Sequence, residues 1–173
     1  MAMDFGDAPD PTYPTLLANN GAVHLMDGVT FLGAAVDGEE DGQPSADASG
    51  DDGAGQDDDD GVTFTTTLTT GWPATMEVLA NTGGVLNAWV DFNADGDWDD
   101  AGEHVFIYRH LFAGSNSIDC AVPADAALGM TFARFRFSSM PGLAPDGSAP
   151  DGEVEDYQVE IQCPHLDECA LGT

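Results

Sequence analysis

Residues 130–137 read MTFARFRF, and their alternation leaves little choice of local structure. Ala133, Phe135 and Phe137 fall on one side of an extended chain and Arg134 and Arg136 on the other. That is the two-residue period of a β-strand, not the 3.6-residue period of a helix. The pattern returns at Tyr157, Val159 and Ile161, with Gln158 and Glu160 facing outward. It returns again where Leu86, Ala88, Val90 and Phe92 alternate with Asn87, Trp89 and Asp91, which predicts a strand with one buried face. Residues 62–68, 75–80 and 116–122 predict further strands, and residues 105–108 a strand apolar on both faces. Asn81, Thr82, Gly83 and Gly84 predict a hairpin turn. Helix patterns that would supply the crossovers of a parallel sheet are missing. The expectation is therefore an all-β fold, an antiparallel β-sandwich of jelly-roll-like kind with long acidic loops.

Charge constrains the partners. Arg109, Arg134 and Arg136 are the only basic residues apart from histidine, against 32 acidic ones, for a net charge of -29. Such a surface repels nucleic acid and anionic membrane and strains the compact state by self-repulsion, so cations are the expected partners. Arg134 and Arg136, side by side on one strand face, are expected to pair with surplus acids. A hydrophobic share of 42 % still provides a core. The length suits one domain, residues 1–162, followed by a C-terminal tail or linker at 163–173. No apolar run is long enough to insert into a membrane, and the opening Met-Ala-Met-Asp shows no signal core. Cys120, Cys163 and Cys169 allow a bridge from Cys163 to Cys169 or from Cys120 to Cys163, and the spacing does not choose. With His165 they fall short of a structural zinc site.

The acidic residues are not spread evenly. DFNADGDWDDAGE, residues 91–103, holds six carboxylates and no basic residue. Asp91, Asn93, Asp95 and Asp97 occupy alternate positions around Gly96, which resembles the start of an EF-hand loop, where alternate oxygens converge on a hard cation. The closing carboxylate, Glu103, comes one residue late, and flanking helices are absent. The reading is an EF-like calcium turn between two strands, with Glu103 closing the shell. Magnesium prefers fewer protein carboxylates, and transition metals prefer imidazole or thiolate. Residues 37–61 are acidic and nearly without apolar side chains, so they form a loop that calcium would order in part. At 151–157, Glu153 and Glu155 share one strand face, opposite Val154 and Asp156, where they would reach ions held by neighbouring loops.

Catalytic patterns are absent. There is no G-x-S-x-G elbow, no H-E-x-x-H and no phosphate-binding G-x-x-x-x-G-K, and carboxylates are too many for a glycosidase pair to stand out. The chain is expected not to be an enzyme. Trp72, Trp89 and Trp98, with Tyr13 and Tyr108, offer a sugar-stacking platform, and Trp98 within the acidic turn is the candidate ligand-binding residue, expected to be exposed or to cap the ion.

DGEVEDYQVEI, at residues 151–161, resembles the hallmark of the GEVED domain, a module of large secreted and surface-attached bacterial proteins. DFGDAPD with YPT, GAVH, LGAAVDGEEDGQP, GDD with DDDDGVTF, LNAWVDFNADGDWDDAGE and FARFRFS extend the likeness over residues 4–161. The resemblance implies a β-sandwich, extracellular and cell-surface use, calcium binding and no catalytic reaction. By this analogy Asp4, Asp7, Asp37, Glu39, Asp41, Asp91, Asn93, Asp95, Asp97, Glu103, Glu153, Glu155 and Asp156 are candidate oxygen ligands. The function expected is a calcium-binding structural or adhesive module that self-associates into a surface fibre or joins neighbouring domains. The alternative is a calcium-dependent, glycan-binding lectin-like module.

Overall fold

The computed structural model describes residues 2–50 and 59–164. Apart from one 3-10 turn at Leu17–Asn19, their regular elements are all strands. In chain order these are β1 (Met3–Phe5), β2 (Val23–Leu25), β3 (Val62–Phe64), β4 (Leu68–Thr69), β5 (Pro73–Ala80), β6 (Gly84–Val90), β7 (His104–Leu111), β8 (Gly114–Ala121), β9 (Gly129–Ser138), β10 (Ser148–Ala149) and β11 (Glu153–Gln162). They form three sheets, ordered β4-β11-β9-β6-β7, β3-β5-β8 and β1-β2-β10.

The all-β expectation holds, but the pairing is not uniformly antiparallel. β10 runs parallel to β2, and β4 parallel to β11. Both contacts are two residues long and join segments far apart in sequence, so no hairpin dictates their direction.

The alternating residues explain where the core lies. Ala133, Phe135 and Phe137 of β9, Leu86, Ala88 and Val90 of β6, and Val159 and Ile161 of β11 belong to one buried cluster. Ala74, Met76, Val78 and Ala80 of β5 and Ile118 of β8 join it from the second sheet. A single apolar core thus unites the two larger sheets. Phe64, Phe135 and Tyr157 meet edge to face within it, with centroids 5.8–6.4 Å apart, a favoured geometry for aromatic rings.

The opposite face of the five-stranded sheet is also covered, against the expectation of one buried face. A second cluster of Ala8, Tyr13, Trp89 and Trp98, with Phe132 packed on it, lies there. Arg134 and Arg136 are fully buried on that side. The cover consists of the N-terminal segment and the loop between β9 and β10, which period-2 reasoning cannot see because their contacts are remote in sequence.

Two strands differ from expectation for reasons of position. In β7, Phe106 is buried but Ile107 and Tyr108 are exposed, because β7 ends its sheet and has core on one side only. Residues 62–68 split into β3 and β4. At the break, Thr65 and Thr66 donate their N–H groups to the Thr75 carbonyl, and the Thr66 hydroxyl accepts the Thr75 N–H.

Cys163 is disulfide-bonded, whereas Cys120 is a free, buried thiol. The Cys120–Cys163 staple is therefore not formed; Cys169, with most of the tail, lies outside the described residues. Burial pushes the Cys120 thiol up to about 11, which keeps it protonated and unreactive at neutral pH.

Candidate metal centre

The acidic turn joins β6 to β7, and its carboxylates divide into two sets. Asp91 is fully buried. Its Oδ1 accepts the Ala94 N–H at 2.6 Å, and its Oδ2 accepts the Gly96 N–H at 3.0 Å and the Tyr13 hydroxyl at 2.6 Å. This curls the chain so tightly that Ala94 and Gly96 take φ values of 57° and 97°. Glycine suits the second position, since its lack of a side chain makes that conformation accessible. Glu103 is buried at the far end, where Oε1 accepts the Phe92 N–H at 3.0 Å and Oε2 the Asp100 N–H at 3.3 Å. Burial, with the nearby Asp91 charge, pushes the Glu103 carboxyl up to about 7 against the pull of these N–H donors. Asp91 and Glu103 thus shape the backbone from within.

The second set faces outward. Asp95, Asp97 and Asp100 are exposed, and one carboxylate oxygen from each lies within 4.8 Å of the others. Among the described residues this is the one group of three acidic, histidine or cysteine side chains that converges in this way. Asn93 sits beside it. Its amide nitrogen donates to Asp95 at 3.0 Å and to Asp100 at 2.5 Å, while its Oδ1 accepts the Asp95 N–H at 3.0 Å. Hard oxygen atoms at this spacing suit Ca²⁺ or Mg²⁺ better than a thiophilic metal. A cleft of about 320 Å³ borders the group, lined in part by Asn93, Asp100, Glu103 and Asp125.

Asp95 and Asp97 were legible from alternate spacing, but Asp100 was not. Its signal was the Asp97-Trp98-Asp99-Asp100 run, with an apolar anchor between acids. Trp98, expected to be exposed or to cap an ion, is 4 % exposed. It packs on Tyr13 at 4.5 Å, lies 4.8 Å from the Arg134 guanidinium carbon, and donates its Nε1–H to the Phe132 carbonyl at 3.3 Å. A large aromatic in a strand-connecting turn returns the chain to the protein, and Asp100 follows it back.

The remaining candidate ligands lie away from this group and act as struts. In β11, Glu153 Oε2 accepts the Leu32 N–H, and Glu155 Oε1 accepts the Gly61 N–H at 2.7 Å. Asp156 binds the Arg134 guanidinium through Nε and Nη2, both at 2.7 Å. It also accepts the N–H groups of Asp7 and Ala8 at 2.9 Å. Asp4 accepts the Val154 N–H at 2.7 Å, and Asp7 the Gly50 N–H at 2.7 Å. Glu39 accepts the Phe5 N–H at 3.3 Å, and Asp41 that of Leu17 at 2.8 Å; Asp37 is half-buried in the same segment. Glu153, Glu155, Asp156, Asp7 and Asp41 accept N–H groups of loop or turn residues, which is how irregular chain is buried without orphaned N–H groups, while Asp4 and Glu39 accept from strand residues Val154 and Phe5.

The two arginines differ. Arg134 pairs with an acid, as expected. Arg136 instead donates to the carbonyls of Ala144, Asp146 and Gly147 at 2.6–2.8 Å and to His24 Nε2 at 2.9 Å. A guanidinium carries five donors, and backbone carbonyls of the 139–147 loop fill them without a full counter-charge.

Residues 85–160 match the family model of the GEVED domain. That span runs from β6 almost to the end of β11 and contains the acidic turn and its outward-facing triad. No curated protein and no solved structure matches the chain.

Proposed function

The chain carries a GEVED domain, and we propose that it serves as a non-catalytic, calcium-binding structural or adhesive module of an extracellular bacterial surface protein or fibre. The observation that carries this reading is the convergence of Asp95, Asp97 and Asp100 on a turn already rigidified by Asp91 and Glu103. Three carboxylates supply half or slightly less of the six to eight oxygens that Ca²⁺ takes; water, carbonyl oxygen or a rotated Asn93 amide supplies others. Rotation exchanges the Asn93 amide nitrogen, now facing Asp95 and Asp100, for its oxygen.

The ion replaces carboxylate repulsion with attraction and fixes the loop that links β6 to β7. At ten times its dissociation constant it adds about 1.4 kcal/mol. The family resemblance supports the extracellular placement, and the sequence offers no catalytic motif that favours an enzyme over a structural module. Of the aromatic residues expected to stack on a glycan, Trp89, Trp98 and Tyr13 are buried, whereas Trp72 and Tyr108 are exposed.

Calorimetric titration tests the reading. Wild-type protein is expected to bind Ca²⁺ in preference to Mg²⁺, and Asp97→Asn or Asp100→Asn to weaken the tightest site about tenfold or more, roughly 1.4 kcal/mol. Equal calcium affinity in wild type and both variants contradicts the assignment.

A further inference from the structure

We propose that β7 is a docking edge for a second copy of this chain, received head to tail by the opposite edge of the same five-stranded sheet. β7 is one terminal strand of the order β4-β11-β9-β6-β7. Residues 107–110 are exposed in succession. Ile107 is 61 % exposed, and Phe112, just beyond the strand, 81 %. A register shift opposite Asn87 sets Tyr108 at φ 54° and turns its N–H to Asn87 Oδ1 at 3.3 Å. The Tyr108 side chain borders a groove of about 470 Å³, shared with Val85, His110 and Pro141 and lined by no carboxylate.

Charge selects the occupant. β7 contains no acidic residue, and Arg109 is exposed while Arg134 and Arg136 are buried. In a chain without lysine, Arg109 is therefore the only permanently cationic side chain at the surface. An edge strand with unpaired backbone groups, exposed apolar side chains and a lone cation attracts an acidic strand partner.

The far edge of the sheet has the complementary character. β4 covers only Ile161 and Gln162 of β11. Next to it lies a groove of about 330 Å³ lined by residues 64–68 and 158–160, with Glu160 exposed and no cation. A β7 strand of the next copy laid in this groove, beside β4, meets residues 158–160 of β11 and brings Arg109 toward Glu160. A head-to-tail contact gives Arg109 an acidic partner, which a second β7 edge, without any acidic residue, cannot offer, and such a contact repeats into an open chain. This deepens the structural-module reading above by naming the surface, and it does not depend on the calcium site.

Sedimentation velocity over a concentration series, at physiological ionic strength, tests it on the full chain. Wild type is expected to self-associate. Arg109→Glu, Glu160→Arg and Ile107→Asp are each expected to weaken association about tenfold or more. An equimolar mixture of Arg109→Glu and Glu160→Arg is expected to associate like wild type, because alternating copies then present opposite charges at every contact. Circular dichroism checks that each variant retains its fold; the charge-reversal mixture still decides if Ile107→Asp does not. A monomeric wild type at every concentration, or association unchanged in all three variants, overturns the proposal. Calcium titrations on the same samples separate the two readings: binding retained in a monomeric wild type overturns the docking edge alone, and association without calcium binding overturns the metal site alone.

Discussion

Asp156 holds Arg134 through two bonds of 2.7 Å and still accepts two backbone N–H groups, with both side chains fully buried. Removing one partner leaves the other charged and unsatisfied, so Asp156→Ala is expected to cost about 3–5 kcal/mol in urea unfolding. His24 makes a different kind of buried contact. Its Nε2 accepts from Arg136, so Nδ1 carries the proton and donates to the Asp151 carbonyl at 2.7 Å. Burial, and then the neighbouring Arg136 charge, hold the imidazole well below its ordinary value. A group whose folded pKa is depressed binds its proton more readily when unfolded. Stability from neutral His24 is therefore complete above about pH 6.5 and lost as the pH falls below it. The stability gap between wild type and His24→Gln should narrow between about pH 7.5 and about pH 5; a constant gap contradicts the assignment. Among single residues, Phe135 and Phe137 were legible as core from alternation. Arg136 and Trp98 were not, because their burial depends on loops that contribute no periodic signal.

Elements were legible in proportion to their length. β5, β6, β8, β9 and β11 announce themselves by period 2 or by β-branched runs. β1, β2 and β10 are two or three residues long, and their partners are distant, as in Met3 with Leu25 or Ser148 with Val23. No local pattern can specify such pairings. The acidic ladder of β11 was visible as a motif, but its use was not: each carboxylate reaches loop backbone 94–149 residues away in sequence. Gly152, which opens this strand, has φ 96°, and an added Cβ would lie 1.9 Å from the Phe137 carbonyl oxygen. The left-handed conformation alone costs a side-chain-bearing residue about 1–3 kcal/mol, and the clash adds to it. Gly152→Ala should therefore lower the unfolding midpoint by more than a surface substitution such as Gly102→Ala, where nothing lies within 4 Å of the added atom although φ is likewise positive.

Across the whole molecule, electrostatics is the unresolved strain. Seven carboxylates are buried among the described residues, Asp4, Asp7, Asp91, Glu103, Glu153, Glu155 and Asp156, against two buried arginines. Backbone donors solvate most of that charge internally, at the expense of tying the loops to the sheet. At the surface the remaining acids repel one another, and net charge far from zero destabilises the compact state. A divalent cation held by Asp95, Asp97 and Asp100, as proposed above, would offset that repulsion where these oxygens converge. Composition raised the expectation of cationic partners; it could not show that most of the hallmark acids face inward while Asp95, Asp97 and Asp100 face solvent. Differential scanning calorimetry of wild type and Asp100→Asn, in excess Ca²⁺, in Mg²⁺ and in EDTA, is the most direct test of the calcium assignment. The account predicts a wild-type melting temperature several degrees higher in Ca²⁺ than in either other buffer, for a gain of about 1.4 kcal/mol or more, and a smaller shift in the variant. Equal melting temperatures in Ca²⁺ and EDTA, or an undiminished calcium shift in Asp100→Asn, contradict it.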